Sequence, residues 1–283
     1  MTTKDIIKGE FRGQKMLKMY KGSEVVWPLN ITPNCPQDRI VHSPSNPFHD
    51  GSEIAHFRFE DDMIDEHNNY QQLGSNNATF ENGPVDRVVH FNGSGDLWFA
   101  NENEMKAIVD QNNSYGGWIK MDGTTFDTNQ YIFNMALGTD DPTDNFYMNE
   151  STGSAIIWYN GSWTTDQGLH FRTDKNSSPQ VWYKKIDINA NCWNHILVTE
   201  NKDDKEYKIY VNGEYFSNIV YTGINGWDDN CNGSLGAYRH VDANASNPSA
   251  LLPFFGLMDD FRIFNRELTP DEVRILYNGD ELR

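Results

Sequence analysis

A chain of 283 residues can bury one large core, or one core with a small appendage. Its net charge of −18 excludes nucleic acid as the main partner, because phosphate binding needs clustered Lys and Arg; the same charge favours solubility and is compatible with cation binding. No run of about 18 apolar residues occurs, so no membrane-spanning helix is expected, and residues 1–10 lack the apolar stretch of a signal peptide.

The first 28 residues read as a unit of their own. Two strand-like runs, residues 15–20 (KMLKMY) and 24–27 (EVVW), are separated by Lys21-Gly22-Ser23, which has hairpin length and chemistry. An isolated hairpin is barely stable in water and cannot bury Met16, Leu17, Met19, Tyr20, Val25, Val26 and Trp27 by itself. These residues are therefore expected to lean on the main domain or on another protein, and docking on a neighbouring subunit of a symmetric oligomer is the preferred reading. Residues 29–51 carry Pro33, Pro36, Pro44 and Pro47 among Ser, Asn and Asp, the composition of an extended, semi-rigid linker.

From residue 52 the pattern is strand, turn, strand. Apolar or alternating runs occur at 54–59, 87–91, 117–121, 131–135, 154–159, 181–183, 195–199 and 207–211. In the last of these Tyr207, Ile209 and Val211 alternate with polar residues, and Asn212-Gly213 supplies a type I′ turn into residues 214–216. One helix is signalled near the C-terminus. Thr269-Pro270-Asp271-Glu272 is a capping box with Pro at the first helical position, Val273, Leu276 and Tyr277 form the apolar stripe, and Gly279 ends it. Eight Trp, 13 Tyr and 16 Phe under a mean hydropathy of −0.70 complete the picture of an all-β, two-sheet antiparallel sandwich spanning residues 52–283, cased in polar turns.

The three cysteines, Cys35, Cys192 and Cys231, are odd in number and lack metal-ligand spacing. Cys192 stands beside Trp193 at the start of an apolar run, so a reduced, packed thiol in a protein made in a reducing cytoplasm is expected. The Asn-x-Ser/Thr triplets at Asn77, Asn92, Asn160 and Asn232 read as turns between strands rather than glycan acceptors.

Two binding candidates follow from residue chemistry. In residues 257–263 (LMDDFRI) simple alternation puts Asp259 on the same side as Phe261 and Ile263, and a carboxylate buried there needs a cation or several donors. Trp163 and Trp227 lie in polar, turn-rich surroundings, where an indole can stack on a sugar ring while Asp228 and Asn230 take hydroxyl hydrogen bonds. The alternative for both indoles is an aromatic lid over the sandwich edge, and that is the reading preferred.

Residues 256–277 (GLMDDFRIFNRELTPDEVRILY) resemble the closing strand and helix of laminin-G-like jelly rolls of the concanavalin-like superfamily. Residues 192–199 with 207–213 look like that family's central hairpin, and residues 59–68 with 90–93 like its opening, so the resemblance covers 52–283. It implies a jelly-roll sandwich. It also implies a structural Ca²⁺ held by Asp259 together with Asp65 and Asn68 of the loop after the first strand, although the family usually has glycine where Asn68 stands. Hydrogen-bonded carboxylates without a metal are the alternative. Some relatives are glucanases with a Glu-x-Asp-x-(x)-Glu strand. The nearest segment here, residues 184–189, has Asp187 and neither glutamate, while Asp61-Asp62 and Asp203-Asp204 are adjacent pairs that point to opposite sides. No Gly-x-Ser-x-Gly or His-Glu-x-x-His motif occurs, so no catalytic residue is assigned and an enzyme is not expected.

Residues 15–28 also resemble segments near the start of bacteriophage virion proteins, including tail and head fibre components. The two resemblances together imply a non-enzymatic structural or adhesion component of a virion, a fibre or decoration protein. It would be made in the host cytoplasm, joined to other virion subunits by its N-terminal arm, and present a head to host-surface glycans. A carbohydrate-binding module of a secreted bacterial or eukaryotic protein is the alternative, and it expects a signal peptide and paired cysteines. A glycoside hydrolase is the third class.

Overall fold

The computed structural model describes residues 7–11, 14–18, 20–21, 24–25, 35, 40–70, 72–75, 77–93, 96–99, 111–122, 128–135, 154–159, 167–173, 182–221, 233–239 and 250–282. The chain divides into two compact units, Met1–Pro36 and Gln37–Arg283. In the first, β1 (Ile7–Phe11) pairs with β2 (Gln14–Lys18), and β3 (Tyr20–Lys21) pairs with β4 (Glu24–Val25), both antiparallel. Two short ladders thus replace the single hairpin expected, because IKGEF pairs as a strand despite its weak apolar pattern. Met16 and Leu17 fall in β2, Tyr20 in β3 and Val25 in β4, while Met19, Val26 and Trp27 lie outside the described residues.

The second unit begins its strands with β5 (Glu53–Phe57), β6 (Gln72–Ser75), β7 (Thr79–Asn82), β8 (Arg87–Asn92), β9 (Leu97–Phe99) and β10 (Asn113–Met121). Then come β11 (Gln130–Met135), β12 (Ser154–Tyr159), β13 (Gly168–Thr173), β14 (Trp182–Ile186), β15 (Asn194–Asn201), β16 (Glu206–Val211) and β17 (Glu214–Val220). The short β18 (Gly233–Leu235), β19 (Tyr238–Arg239) and β20 (Ala250–Leu251) precede the long β21 (Phe255–Phe264) and the helix α1 (Pro270–Asn278). One sheet runs β17-β16-β15-β10-β21-β8-β7, with β5 also on β21; the other runs β14-β13-β12-β11-β18-β9-β6. All of their ladders are antiparallel, and the sheets face each other as a sandwich.

Period-2 alternation explains how both faces of the first sheet are used. Ile196 and Val198 of β15, and Tyr207 and Ile209 of β16, point into the main core with Phe133, Phe171 and Leu235 of the opposite sheet. Leu197 and Tyr210 point outward and are covered by Phe48, Leu268, Val273 and Leu276. Helix α1 is built as its sequence dictates: Thr269 and Glu272 close a capping box, and Gly279 ends the helix in the left-handed conformation. At the Asn212-Gly213 turn φ is 51° and 78°, as type I′ requires, and a Cβ on Gly213 would come within 2.8 Å of Tyr277 of the helix.

The Pro-rich stretch is not an extended linker throughout. From residue 40 it is a strap packed on the outer face of the first sheet, where Ile40 joins Val88, Trp118 and Trp193, and Phe48 joins the cluster under the helix. Apolar residues spaced between the prolines, not the prolines themselves, decide its fate: Ile40 is 1% exposed.

Candidate functional site

Strand β21 carries the acidic pair Asp259-Asp260, and its alternation is broken there. Gly116 of β10 lies opposite Arg262, but Trp118 lies opposite Asp259, so β21 has one residue more than its partner between those pairs. Asp260 takes up the extra residue with a φ of 49°. Gly117 makes room for it, since a Cβ there would come within 2.9 Å of the Asp259 carbonyl oxygen. Met258, Phe261 and Ile263 consequently all face the core. Asp259 shares the outer face with Trp118, its cross-strand partner, and is not on the side of Phe261 and Ile263 as strict alternation suggested.

Under the strap, these outward residues form a buried charge network. Arg262, whose side chain is 2% exposed, donates to Glu53 Oε1 at 2.6 Å, to Asp260 Oδ1 at 2.8 Å and to the Pro44 carbonyl at 3.1 Å, and also bonds the Ser43 carbonyl. His56 is held between Ser45 Oγ at 2.9 Å and Asp260 Oδ1 at 2.6 Å, and His42 Nε2 meets Asp259 Oδ2 at 2.8 Å. Glu53 Oε2 accepts from the Asn46 amide at 2.6 Å and sits 2.9 Å from His67 Nε2. Burial raises Asp260, yet Arg262 and His56 hold it far below the usual carboxylate range. Burial and Arg262 lower His56, so its Nε2–H donates to Asp260 and its Nδ1 accepts from Ser45. Burial pushes Asp259 up to about 6 against the pull of His42; His42 is lowered by its own burial and raised further by Asp259, Asp260 and Glu60.

Two of the three residues expected to hold Ca²⁺, Asp65 and Asp259, accept hydrogen bonds from protein donors. Asp65, fully buried, accepts the backbone N–H of His56, His67, Asn69 and Tyr70 at 2.8–3.2 Å. Asp259 accepts the Asp260 amide in addition to His42. Asn68 stands at φ 56°, a conformation glycine adopts freely and Asn tolerates, so the loop keeps its turn without the family's glycine. Among the described residues, the ligand atoms that come together are those of His42, Glu60 and Asp86, within 4.8 Å of one another. Arg58 Nη2 lies 3.5 Å from Glu60 Oε1 and supplies positive charge beside that cluster.

An open cleft of about 460 Å³ lies on the outer face beside the helix, and nothing in the sequence pattern announced it. Tyr215 and Tyr210 are cross-strand partners and therefore share that face, edge to face at 5.9 Å; Tyr210 is buried while Tyr215 is 54% exposed. Lys208 Nζ and Glu267 Oε1 form a 2.7 Å ion pair on the wall, and Glu267 raises the Lys208 ammonium above its usual range. Leu268, Thr269 and Pro270 complete the lining. Trp163, Trp227, Asp228 and Asn230, the platform expected from sequence, lie outside the described residues. Asp187 is exposed just beyond β14, and Asp61, Asp62, Asp203 and Asp204 are exposed in bends and turns. Cys35 and Cys192 are both disulfide-bonded, which overturns the reduced thiol expected at Cys192; an odd cysteine count had masked the pairing.

No curated protein matches the chain. Among solved structures, domain 4 of AbnA, a GH43 extracellular arabinanase from Geobacillus stearothermophilus in complex with arabinotriose, is similar at 20% identity. It has a TM-score of 0.50, with 80% of this chain and 98% of that one covered. The binding domain of Paraclostridial Mosquitocidal Protein 1 is similar at 17% identity and a TM-score of 0.57 over 81% of this chain and 52% of that one. The receptor binding domain of botulinum neurotoxin C/D mosaic serotype is similar at 15% identity and the same TM-score, over 81% and 51%. The chain thus spans about half the length of the two toxin domains, and likenesses at these identities establish the fold. A model of the concanavalin A-like lectin/glucanases superfamily (Laminin_G_3) matches residues 93–274, which is more than half of the chain, and the protein belongs to that family.

Proposed function

We propose that this protein is a non-enzymatic adhesion component of a bacteriophage virion, a fibre or decoration subunit whose sandwich binds glycans on a host surface. The observation that carries the binding role is the cleft beside α1, where the half-exposed Tyr215 ring backed by Tyr210 adjoins the Lys208–Glu267 pair. An aromatic face stacks on the apolar side of a pyranose, and a paired ammonium and carboxylate meet its hydroxyls from the side. The arabinotriose complex of the AbnA domain supports a glycan as ligand, and the receptor-binding role of the botulinum neurotoxin domain supports recognition of a surface. Anchoring falls to the N-terminal unit, whose short ladders carry Met16, Leu17, Tyr20 and Val25.

Glycan-array screening of the purified protein tests the binding role, with Tyr215→Ala as the diagnostic variant. Loss of one stacking aromatic weakens a sugar complex by roughly fivefold, on the ~1 kcal/mol scale of an aromatic contact. Binding that survives Tyr215→Ala unchanged, or no binding to any glycan, defeats the assignment to this cleft. A second reading, a carbohydrate-binding module of a secreted protein, draws support from the disulfide-bonded Cys35 and Cys192, since such bonds persist in oxidising surroundings. Immunogold labelling of particles separates the two: label on purified virions supports the first, and its absence the second.

A further inference from the structure

The ends of two central strands bring a lysine, an asparagine and a glutamate together in the interior, and the charge network under the strap does not use them. Asn113 opens β10 and stands opposite Glu200 of β15 in the ladder. Its Nδ2 donates to Glu200 Oε2 at 2.9 Å, and to the Gln111 carbonyl at 3.1 Å. Lys202, just past the end of β15, places its Nζ 3.2 Å from the other oxygen, Oε1, which also accepts from the Tyr221 hydroxyl at 2.9 Å. Glu200 is 2% exposed, Asn113 3%, and the Lys202 side chain 9%. The Lys202 amide is pinned to Asn112 Oδ1 at 2.9 Å, so the turn carrying the ammonium is tied to the strand carrying the carboxamide. Tyr115, Tyr207 and Tyr221, each 1% exposed, wall the site from water.

A surface lysine paired with a glutamate needs no explanation beyond charge. A lysine and an asparagine on the two oxygens of one buried carboxylate are a nucleophile and an electrophile sharing one proton carrier. We infer that Lys202 Nζ and Asn113 Cγ condense into an intramolecular amide, with Glu200 as the catalytic residue. Glu200 Oε1 takes a proton from the Lys202 ammonium, and the amine attacks Asn113 Cγ. As the Cγ–Nδ2 bond breaks, Glu200 hands that proton to Nδ2, its hydrogen-bond partner, and takes the second proton of the attacking nitrogen. That proton leaves on the departing ammonia. One ammonium and one carboxamide become one secondary amide and one ammonium ion, and Glu200 ends as the carboxylate it began as. No oxidant, metal or cofactor enters the balance. Orientation supplies the rate, because both reactants are held on one side chain, and exclusion of water keeps the product from hydrolysis. The bond fastens the start of β10 to the end of β15, two central strands of the first sheet, where a covalent tie resists unzipping from that end under load.

Intact mass spectrometry of the full chain with its disulfides reduced reads the reaction directly. The folded wild type, incubated to completion near neutral pH, is lighter than its sequence by one ammonia, and peptide mapping recovers a branched peptide joining Asn113 to Lys202. Glu200→Gln and Lys202→Arg keep the full sequence mass; the arginine variant retains the charge beside Glu200, so it remains informative where the glutamine variant fails to fold. Asn113→Asp reacts with loss of water and reaches the same final mass as the wild type. A wild-type chain of full mass with Asn113 and Lys202 in separate peptides overturns the inference. So does an ammonia loss that persists in Lys202→Arg, which marks cyclisation at an Asn-Gly pair instead.

Discussion

Replacing Arg262 by Met tests whether the strap is held by charge. The guanidinium donates to Glu53 and Asp260 and to the carbonyls of Ser43 and Pro44, so one side chain joins two acids of the sheet to the strap. Methionine fills most of the space and leaves both carboxylates buried without their cation. Removing one partner of a buried ion pair costs about 3–5 kcal/mol, far more than the net contribution of an intact pair, because the remaining charge has lost its solvent and its partner alike. At roughly 2–4 °C per kcal/mol for a domain of this size, the melting temperature falls by about 6–20 °C. Amide exchange localises the effect: protection is lost first at residues 42–48. The triple variant Arg262→Met, Glu53→Gln, Asp260→Asn removes the stranded charges and recovers part of the loss. A single variant that loses less than ~1 kcal/mol refutes the reasoning, since a pair of that strength belongs to a solvated surface.

Acid weakens the fold through His195, which burial lowers to about 4. The unfolded chain takes up this proton near 6.5 and the folded chain does not. The stability it confers is full above pH 6.5 and is lost as pH falls toward 4, by roughly 3 kcal/mol. His195→Phe removes that slope in pH-dependent urea unfolding, and an identical slope in both proteins sinks the assignment; the comparison cancels Asp259, which is raised to about 6 and acts in the opposite sense. Chelation by EDTA is expected to leave the melting temperature unchanged, because Asp65 and Asp259 accept protein donors, and a drop restored by Ca²⁺ supports the calcium site instead. Deleting residues 1–36 leaves the second unit cooperatively folded, whereas deleting 1–51 removes His42, the Ser43 and Pro44 carbonyls, Ser45 and Phe48 and lowers its melting temperature by about 6 °C or more; equal stability of the two truncations contradicts the role given to the strap.

The sandwich was legible where local chemistry and periodicity agree. The Asn212-Gly213 hairpin and helix α1 each carry a turn or cap signal beside an apolar pattern, and both form as read. Strands such as β7, with sequence TFEN and a mostly exposed pattern, carry no such signal, because pairing with β8 rather than propensity makes them strands. The strap was hidden for a related reason: five prolines between residues 28 and 47 suggested a spacer, and the burial of Ile40 and Phe48 depends on a sheet surface assembled from distant segments. The face of Asp259 was misread because alternation holds only along an unbroken ladder. The pair Gly116-Gly117 was the available clue, since a strand with two glycines in succession marks a bulge or a close backbone approach. Tyr215 and Glu267 are 52 positions apart and meet only across the finished fold.

The acidic pair itself is explained by what happens to β21 along its length. One edge pairs with β10 throughout. The other pairs with β8 over Phe255 to Met258 and with β5 over Phe261 to Phe264, so the two neighbours change at Asp259-Asp260. Backbone groups at such a junction lack ladder partners, and a buried amide without one costs about 1–3 kcal/mol. Carboxylates are the side chains that answer several donors at once. Asp259 accepts the amide of Asp260, and Asp65 accepts the His56 amide together with three others from its own turn. Asp259 is paired with His42 and Asp260 with Arg262, while the neutral His56 donates a hydrogen bond to Asp260. An Asp-Asp pair on the last strand therefore follows from the handover between β8 and β5, and a cation is one way to balance it among several. In this chain the strap supplies His42, and the sheet supplies Arg262 and His56. The glycan contact proposed above falls instead on the open face beside α1, where Tyr215 and the Lys208–Glu267 pair reach solvent.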